Sequence, residues 1–298
     1  LAVSLMAIDR AWTPRAELDL LSRGKPITKR VRNLPPKRMA WARRAATKLE
    51  RNASSPGSWG YPPGARSLLR FDTSNTQYAT LGMRAATHLG YEVREQTWLG
   101  VVRYFGVVME RKGPKGEVSL VREGQAVPDE AEAHRLYLRS VPKVAGFRYS
   151  TLESHNHVDG ALTCGAIASL LIARYELQAL GSRKLNAKVE REIDEMIASG
   201  WAWLQQNWRL DRHPQHRTWY WYFLYSLERA GVLDRVKRVG GCDWYFEGAM
   251  QLLARQDVSE KKQGAWNDKG GDATPPTCFG LLFLKRGTSP LGPAITGK

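Results

Sequence analysis

One short polar segment combines the residue types that bind metals. It reads His155-Asn156-His157-Val158-Asp159, and Cys164 follows five residues later. Two histidines at i and i+2 in an extended loop could share an ion, and Asp159 and Cys164 would complete four ligands, the number that zinc prefers. The other interpretation is a polar loop in which Asp159 or Thr163 caps the following helix. Nothing else in the sequence predicts a cofactor.

Aromatic residues form a second feature that could bind a ligand. The run Trp219-Tyr220-Trp221-Tyr222-Phe223 is followed by Tyr225, and Trp244 lies downstream beside Asp243. Consecutive residues on a helix point in all directions, so some rings must pack in the core while others could line a cavity. The candidates for contact with an apolar, isoprenoid-like ligand are Trp219, Tyr220, Tyr222, Tyr225 and Trp244.

A repeat organises the chain around these segments. Four apolar segments each begin at a threonine, and Leu1 to Ala11 is interpreted as a fifth copy without its beginning. A helix that is apolar on all sides is buried on all sides, so these segments predict inner helices. The four threonines are Thr76, Thr163, Thr218 and Thr277.

Amphipathic helices are predicted between the inner ones. Val189, Ile193, Met196 and Ile197 recur at steps of three and four, with charged residues between them. Similar patterns occupy 38–51, 92–111 and 244–256. Alternating inner and outer helices bury both types best in a closed ring, so we predict an all-α fold, an α/α toroid.

The predicted domain spans 1–286, with loops at 12–36 and 111–150, and 287–298 form a flexible tail. The segment 111–150 is expected to form either a hairpin or an extended excursion. The ring is expected to be incomplete and to lack an N-terminal part, because the sequence starts at Leu1 within a helical pattern.

Two segments at the ends of outer helices carry a family resemblance. They are Leu253-Ala254-Arg255-Gln256 before Gly264-Ala265-Trp266, and Leu49-Glu50-Arg51-Asn52 before Gly57-Ser58-Trp59. This pattern resembles the QW repeat of squalene and oxidosqualene cyclases. The chain is also similar to bacterial squalene-cyclase-like proteins without an assigned reaction. The resemblance implies that the Gln bonds the start of the next helix, while the Trp stacks on it.

The resemblance also implies where catalytic residues would stand. Class II terpene cyclases protonate their substrate with the middle Asp of a D-x-D-D motif, and protein prenyltransferases bind zinc through D-x-C. Here Asp72-Thr73-Ser74-Asn75 places a serine at the acid position, and D-x-C does not occur. We therefore expect a non-catalytic domain that binds a partner or an apolar ligand, with Asp72 as an N-cap. The alternative is an isoprenoid enzyme that uses Asp72, Asp243 or a metal.

The charge suggests a third function. The net charge is +16, and Arg and Lys residues cluster between 23 and 44. Such a segment could bind an anionic membrane surface, whereas nucleic acid is disfavoured because no known binding motif or interleaved aromatic residues accompany it. Three cysteines without CxxC spacing argue against a disulfide framework, and the compartment is left open.

Overall fold

A computed structural model describes residues 1–22, 31–53, 57–61, 71–126, 132, 135–152, 157–259, 264–267 and 272–291. The described chain is mostly helical. Its helices are α1 (Ala2–Ala11), α2 (Arg15–Ser22), α3 (Pro36–Arg51), α4 (Thr73–His88), α5 (Glu95–Val108), α6 (Gly160–Ala179), α7 (Ala187–Gln206), α8 (Tyr220–Leu233), α9 (Trp244–Arg255) and α10 (Thr274–Leu284).

The apolar helices pack against one another in chain order. Helix α1 contacts α4, α4 contacts α6, α6 contacts α8, and α8 contacts α10. Helix α6 also contacts α5 and α7, and its residues from Cys164 to Ala173 are all buried. The predicted burial of this segment is confirmed. The same prediction is wrong for α1 and α10, where only one residue and three residues, respectively, are buried, because these helices pack on the others along one face. By length and composition α6 could cross a membrane, but a buried core helix passes the same test.

The amphipathic helices cover these inner helices. Helix α3 packs on α1 and α4, α5 on α4 and α6, and α9 on α8 and α10. On α7, Ile193 and Ile197 are buried and Val189 and Met196 are half-buried, while Arg191 is exposed. The predicted alternation of two helix types is therefore present in the structure.

Four helices begin at a side-chain cap. Asp72 starts α4, Asp159 starts α6, Asn186 starts α7 and Asp243 starts α9, and each side chain accepts a backbone N–H of the first turn. Such caps satisfy donors that have no partner within the helix and contribute about 1 kcal/mol each. The predicted N-cap roles of Asp72, Asp159 and Asp243 are confirmed.

The prediction of an all-α fold is wrong in one respect, because a small antiparallel sheet is present. Its strands are β1 (Gly116–Arg122), β2 (Leu138–Val141), β3 (Val236–Val239) and β4 (Cys242–Asp243), in the order β2-β1-β3-β4. Strand β1 pairs with β2 and also with β3, where Leu120 lies opposite Val239. The second pairing joins distant parts of the chain, so local sequence patterns do not reveal it.

Two predicted irregular segments are partly ordered against the core. Helix α2 lies within the predicted loop 12–36, where Arg32 is buried and ion-paired with Asp9 and Glu17. In the predicted tail, the Thr288 hydroxyl donates to Glu228 Oε2 over 2.6 Å. Buried charges need partners, which explains why both segments pack against the core. Residues 292–298 lie outside the described part.

The threonine repeat has a clear structural basis in two copies. The indole N–H of Trp59 donates to Leu49 O at 2.7 Å, and its backbone N–H donates to Thr76 Oγ1 at 3.0 Å. Trp59 therefore joins the end of the outer helix α3 to the first turn of the inner helix α4. We call this arrangement the tryptophan junction.

The second tryptophan junction is formed by Trp266. Its indole N–H donates to Leu252 O at 2.8 Å, and its backbone N–H donates to Thr277 Oγ1 at 3.1 Å. In a third copy, Phe147 N–H donates to Thr163 Oγ1 at 3.2 Å, and the phenyl ring has no indole donor. Gln256 departs from the resemblance, because its side chain donates to Gly264 O in the loop rather than to a helix start.

Candidate functional site

The starts of α4, α6 and α8 border a cavity of about 340 Å³, called here the aromatic cavity. Ser74, Ala161 and Leu162 contribute from the first turns of α4 and α6. Six aromatic rings supply most of the remaining wall. They belong to Tyr61, Tyr78, Tyr149, Trp219, Tyr222 and Phe279.

The rings on the inner helices hold each other in place. Tyr78 stacks with Tyr222 at a centroid distance of 6.1 Å, and Phe279 lies 6.3 Å from Tyr222. The Tyr222 hydroxyl donates to Gln77 Oε1 on α4. Burial raises the pKa of Tyr222 and also that of Tyr78. This wall therefore stays uncharged over the physiological range, as a site for an apolar molecule requires.

Asp72, the weak candidate for a catalytic acid, does not offer a proton to this cavity. Its side chain is fully buried, and Oδ1 accepts from Ser74 Oγ at 2.7 Å and from Asn75 N at 2.8 Å. Oδ2 accepts from Asn75 Nδ2 at 2.8 Å. Because both oxygens accept hydrogen bonds, the carboxylate acts as an acceptor that caps α4. Ser74 borders the cavity, and Asp72 is absent from its described lining.

Two histidines and one aspartate converge on one wall of the cavity. One ligand-type atom from each of His157, Asp159 and His216 lies within 4.8 Å of the others. Asp159 Oδ1 accepts from Leu162 N at 2.9 Å, and Oδ2 lies 3.9 Å from His157 Nε2. We call His157, Asp159, His213 and His216 the histidine cluster.

The structure changes the metal-ligand set that the sequence predicts. His157 and Asp159 come together as expected, but the third residue is His216, which lies far along the chain. Cys164 is completely buried inside α6, does not belong to the group, and burial raises the pKa of its thiol well above the usual value. Cys164 lies five residues after the cap at Asp159, which is more than one helical turn, so its thiol is far from the carboxylate. His155 lies outside the described residues.

His213 positions the loop that carries His216. Its Nδ1 lies 2.7 Å from Thr218 O, and its Nε2 lies 3.0 Å from Ala161 N. These contacts assign the neutral ring with the proton on Nδ1, so that Nε2 accepts the N–H of Ala161. Nε2 is also 3.2 Å from Asp159 Oδ1, and this oxygen already accepts the backbone N–H of Leu162. His213 thus ties the loop to the first turn of α6.

A second depression, of about 800 Å³, lies on the other side of the histidine cluster, and we call it the basic groove. His157, His213 and His216 border both depressions, and Arg209, Arg212 and Arg217 border the groove. Asp211 pairs with Arg209 and Arg212. The hydrogen bond from Arg209 lowers the pKa of Asp211 to about 2, so this carboxylate stays ionised near neutral pH.

Arg217 forms no ion pair with any residue that the structure describes. Its positive charge adds to that of the groove.

The remaining predicted ligand contacts fall in different places. Trp219 borders the cavity but is 66% exposed and has φ 62°, so the expectation that it begins a buried helix is wrong. Tyr220 donates its hydroxyl to Leu210 O, outside the described cavity lining. Tyr225 packs behind the wall against Tyr78, at 5.9 Å.

Neither Trp244 nor Asp243 borders the aromatic cavity among the residues described. The buried indole of Trp244 donates to Val236 O at 2.7 Å, which ties α9 to the sheet. The Asp243 side chain accepts from Phe246 N at 3.0 Å. Both residues therefore have structural partners away from the candidate site.

Comparison of the chain with protein-family models, with curated proteins and with solved structures found no significant match.

Proposed function

We propose that the chain is an α/α toroid of the squalene-cyclase and prenyltransferase type that binds an apolar, isoprenoid-like ligand without cyclising it. The alternation of inner and outer helices and the tryptophan junctions at Trp59 and Trp266 support this fold. The observation that carries the function is the aromatic cavity, which opens between the starts of three inner helices.

The size and lining of the cavity favour a ligand that is partly enclosed. A volume of about 340 Å³ lies near the lower end of the range for small-molecule sites, about 300–1,000 Å³. The ring faces of the aromatic wall offer dispersion contacts, and its four tyrosines also carry hydroxyl groups, of which that of Tyr222 is bonded to Gln77. The basic groove next to it would attract an anionic head group. We therefore expect an amphiphilic ligand with an apolar body and a negatively charged end.

Binding without turnover follows from the residues near the cavity. Protonation of an alkene needs a strong acid that reaches the substrate. Ser74 borders the cavity, and the hydroxyl of a serine is too weak an acid for this step. Asp72 uses both carboxylate oxygens to accept hydrogen bonds from Ser74 and Asn75. Asp159, the one carboxylate in the described lining, caps α6 through Oδ1 and faces His157 through Oδ2.

Calorimetric titration with a 15-carbon isoprenoid alcohol tests the proposal. Phe279→Ala removes a ring from the wall, so binding should weaken about tenfold, given about 1.5 kcal/mol for part of a buried aromatic side chain. Phe246→Ala is the matched control, because this ring is 64% exposed and lies outside the described cavity lining, so affinity should stay nearly unchanged. Absence of binding to the unaltered chain, or an equal loss in both variants, would refute the proposal.

We propose as a second function that α3 contacts an anionic membrane surface. Lys37, Arg43 and Arg44 are exposed on this helix. Arg32 belongs to the same basic stretch, but its side chain is buried and forms ion pairs with Asp9 and Glu17. Residues 23–30 lie outside the described part of the chain. The vesicle assay given in the Discussion tests this proposal.

A further inference from the structure

We propose that His157, Asp159 and His216 form a binding site for Zn²⁺ in the wall between the aromatic cavity and the basic groove. One ligand-type atom from each residue lies within 4.8 Å of the other two. Two imidazole nitrogens and one carboxylate oxygen are a common donor set for zinc sites that keep a position open. His157 and Asp159 lie on one loop and His216 lies on another that is distant in sequence. Proximity along the chain therefore does not explain why the three side chains lie together.

The positions of the three side chains allow coordination after a small movement. Zinc bonds of about 2.0–2.1 Å place tetrahedral donors about 3.4 Å apart, so donors that lie within 4.8 Å must approach by up to about 1.4 Å. The side chain of His157 is 45% exposed and has room to move. Asp159 is already held, because Oδ1 caps α6 and Oδ2 faces His157 Nε2 at 3.9 Å.

Surrounding hydrogen bonds orient the other donor. His216 Nδ1 lies 3.1 Å from Thr218 O, to which it can donate when the ring binds an ion through Nε2, and Thr218 O also accepts from His213 Nδ1 at 2.7 Å. His213 in turn accepts from Ala161 N on α6. Contacts of this kind, one step removed from the ion, fix the orientation of ligating histidines in known sites. His213 is a positioning residue, because its two ring nitrogens are already engaged.

The local charge indicates what completes the coordination. Asp159 is the only carboxylate among the described residues that border either depression, while Arg209, Arg212 and Arg217 border the groove. A divalent cation would leave this region strongly positive, so an anionic fourth ligand is favoured. This step rests on the proposed function: the negatively charged end of the apolar ligand binds zinc while its body fills the aromatic cavity.

The first experiment measures the metal alone. The full chain carrying Cys242→Ser and Cys278→Ser, which removes the two thiols that are not fully buried, is stripped with chelator and titrated with ZnCl₂. We expect one equivalent to bind, and Co²⁺ to give the intense visible absorption of a four-coordinate site. No binding, or binding unaffected by His216→Ala, would overturn the proposal.

Variants separate coordination from folding. Asp159→Asn keeps a good N-cap and removes the charged donor, so zinc affinity should fall at least tenfold with little change in Tm. His157→Ala should have a similar effect on zinc. Asp243→Asn, which makes the same change at the cap of α9 and lies outside the donor set, is the matched control and should bind zinc normally. Equal zinc affinity in Asp159→Asn and the unaltered chain would contradict the assignment.

A second titration compares a 15-carbon isoprenoid alcohol with its phosphate ester, with zinc and with chelator. Zinc should raise the affinity for the phosphate ester at least tenfold and leave the alcohol unchanged. No gain would refute the role of zinc in holding the head group. Binding of the alcohol in chelator tests the proposed function separately, so failure of one idea is distinguishable from failure of the other.

Discussion

Trp266→Ala tests whether the tryptophan junctions stabilise the fold. The Trp266 side chain is 2% exposed, its indole N–H donates to Leu252 O at 2.8 Å, and its ring packs against Gly280. Replacing a large buried aromatic by alanine costs about 3–5 kcal/mol, because burial is lost and a cavity remains. About 1 kcal/mol of this total belongs to the indole hydrogen bond.

Denaturant unfolding followed by fluorescence and circular dichroism measures this cost. Trp59→Ala should cost about as much as Trp266→Ala, since Trp59 is 4% exposed and donates equivalently to Leu49 O. Trp219→Ala is the control, because that ring is 66% exposed and its loss should change the free energy of unfolding by less than about 0.5 kcal/mol. A cost below about 1 kcal/mol for Trp266→Ala would refute the reasoning.

Three further expectations concern pH, catalysis and membranes. Burial alone would raise the pKa of Glu50, but hydrogen bonds from Thr97, Tyr91 and Arg94 lower it below its ordinary value of 4.5. The stability from Glu50 is therefore present above pH 4.5 and lost as pH falls through the lower folded pKa, so Glu50→Gln should flatten the acid limb of stability against pH. Mass spectrometry should detect no cyclic product from linear isoprenoids, and a product abolished by Asp72→Asn would contradict this. Binding to anionic vesicles should fall steeply with salt, whereas no binding at low salt would eliminate the membrane proposal.

The periodic features of the fold could be predicted from sequence because they depend on local spacing. Apolar runs correctly predict the buried helices α4, α6 and α8 but overestimate the burial of α1 and α10. Steps of three and four residues predict Ile193 and Ile197 on the buried face of α7. The threonine repeat marks real junctions at Thr76 and Thr277, where the hydroxyl accepts a backbone N–H. It fails at Thr218, which lies outside α8 and accepts from His213 through its carbonyl.

The candidate site could be predicted only in part. The polar segment before α6 predicts His157 and Asp159 as metal ligands, because side chains separated by a single residue stay close in any loop. Nothing near His216 in the sequence indicates that its ring would lie beside them. The pairing of β1 with β3 could not be predicted from the sequence for the same reason, since it joins segments separated by several helices.

The sequence by itself determined where most helices lie and offered Asp72, Asp159 and Asp243 as helix caps, because these properties depend on neighbours a few residues away. It did not indicate helix α2 or the exposed faces of α1 and α10. Only the tertiary structure decided that Cys164 stays apart from His157 and Asp159 while His216 lies beside them. Packing of whole helices sets the distances between side chains on different segments. Those distances decide which polar groups can act together.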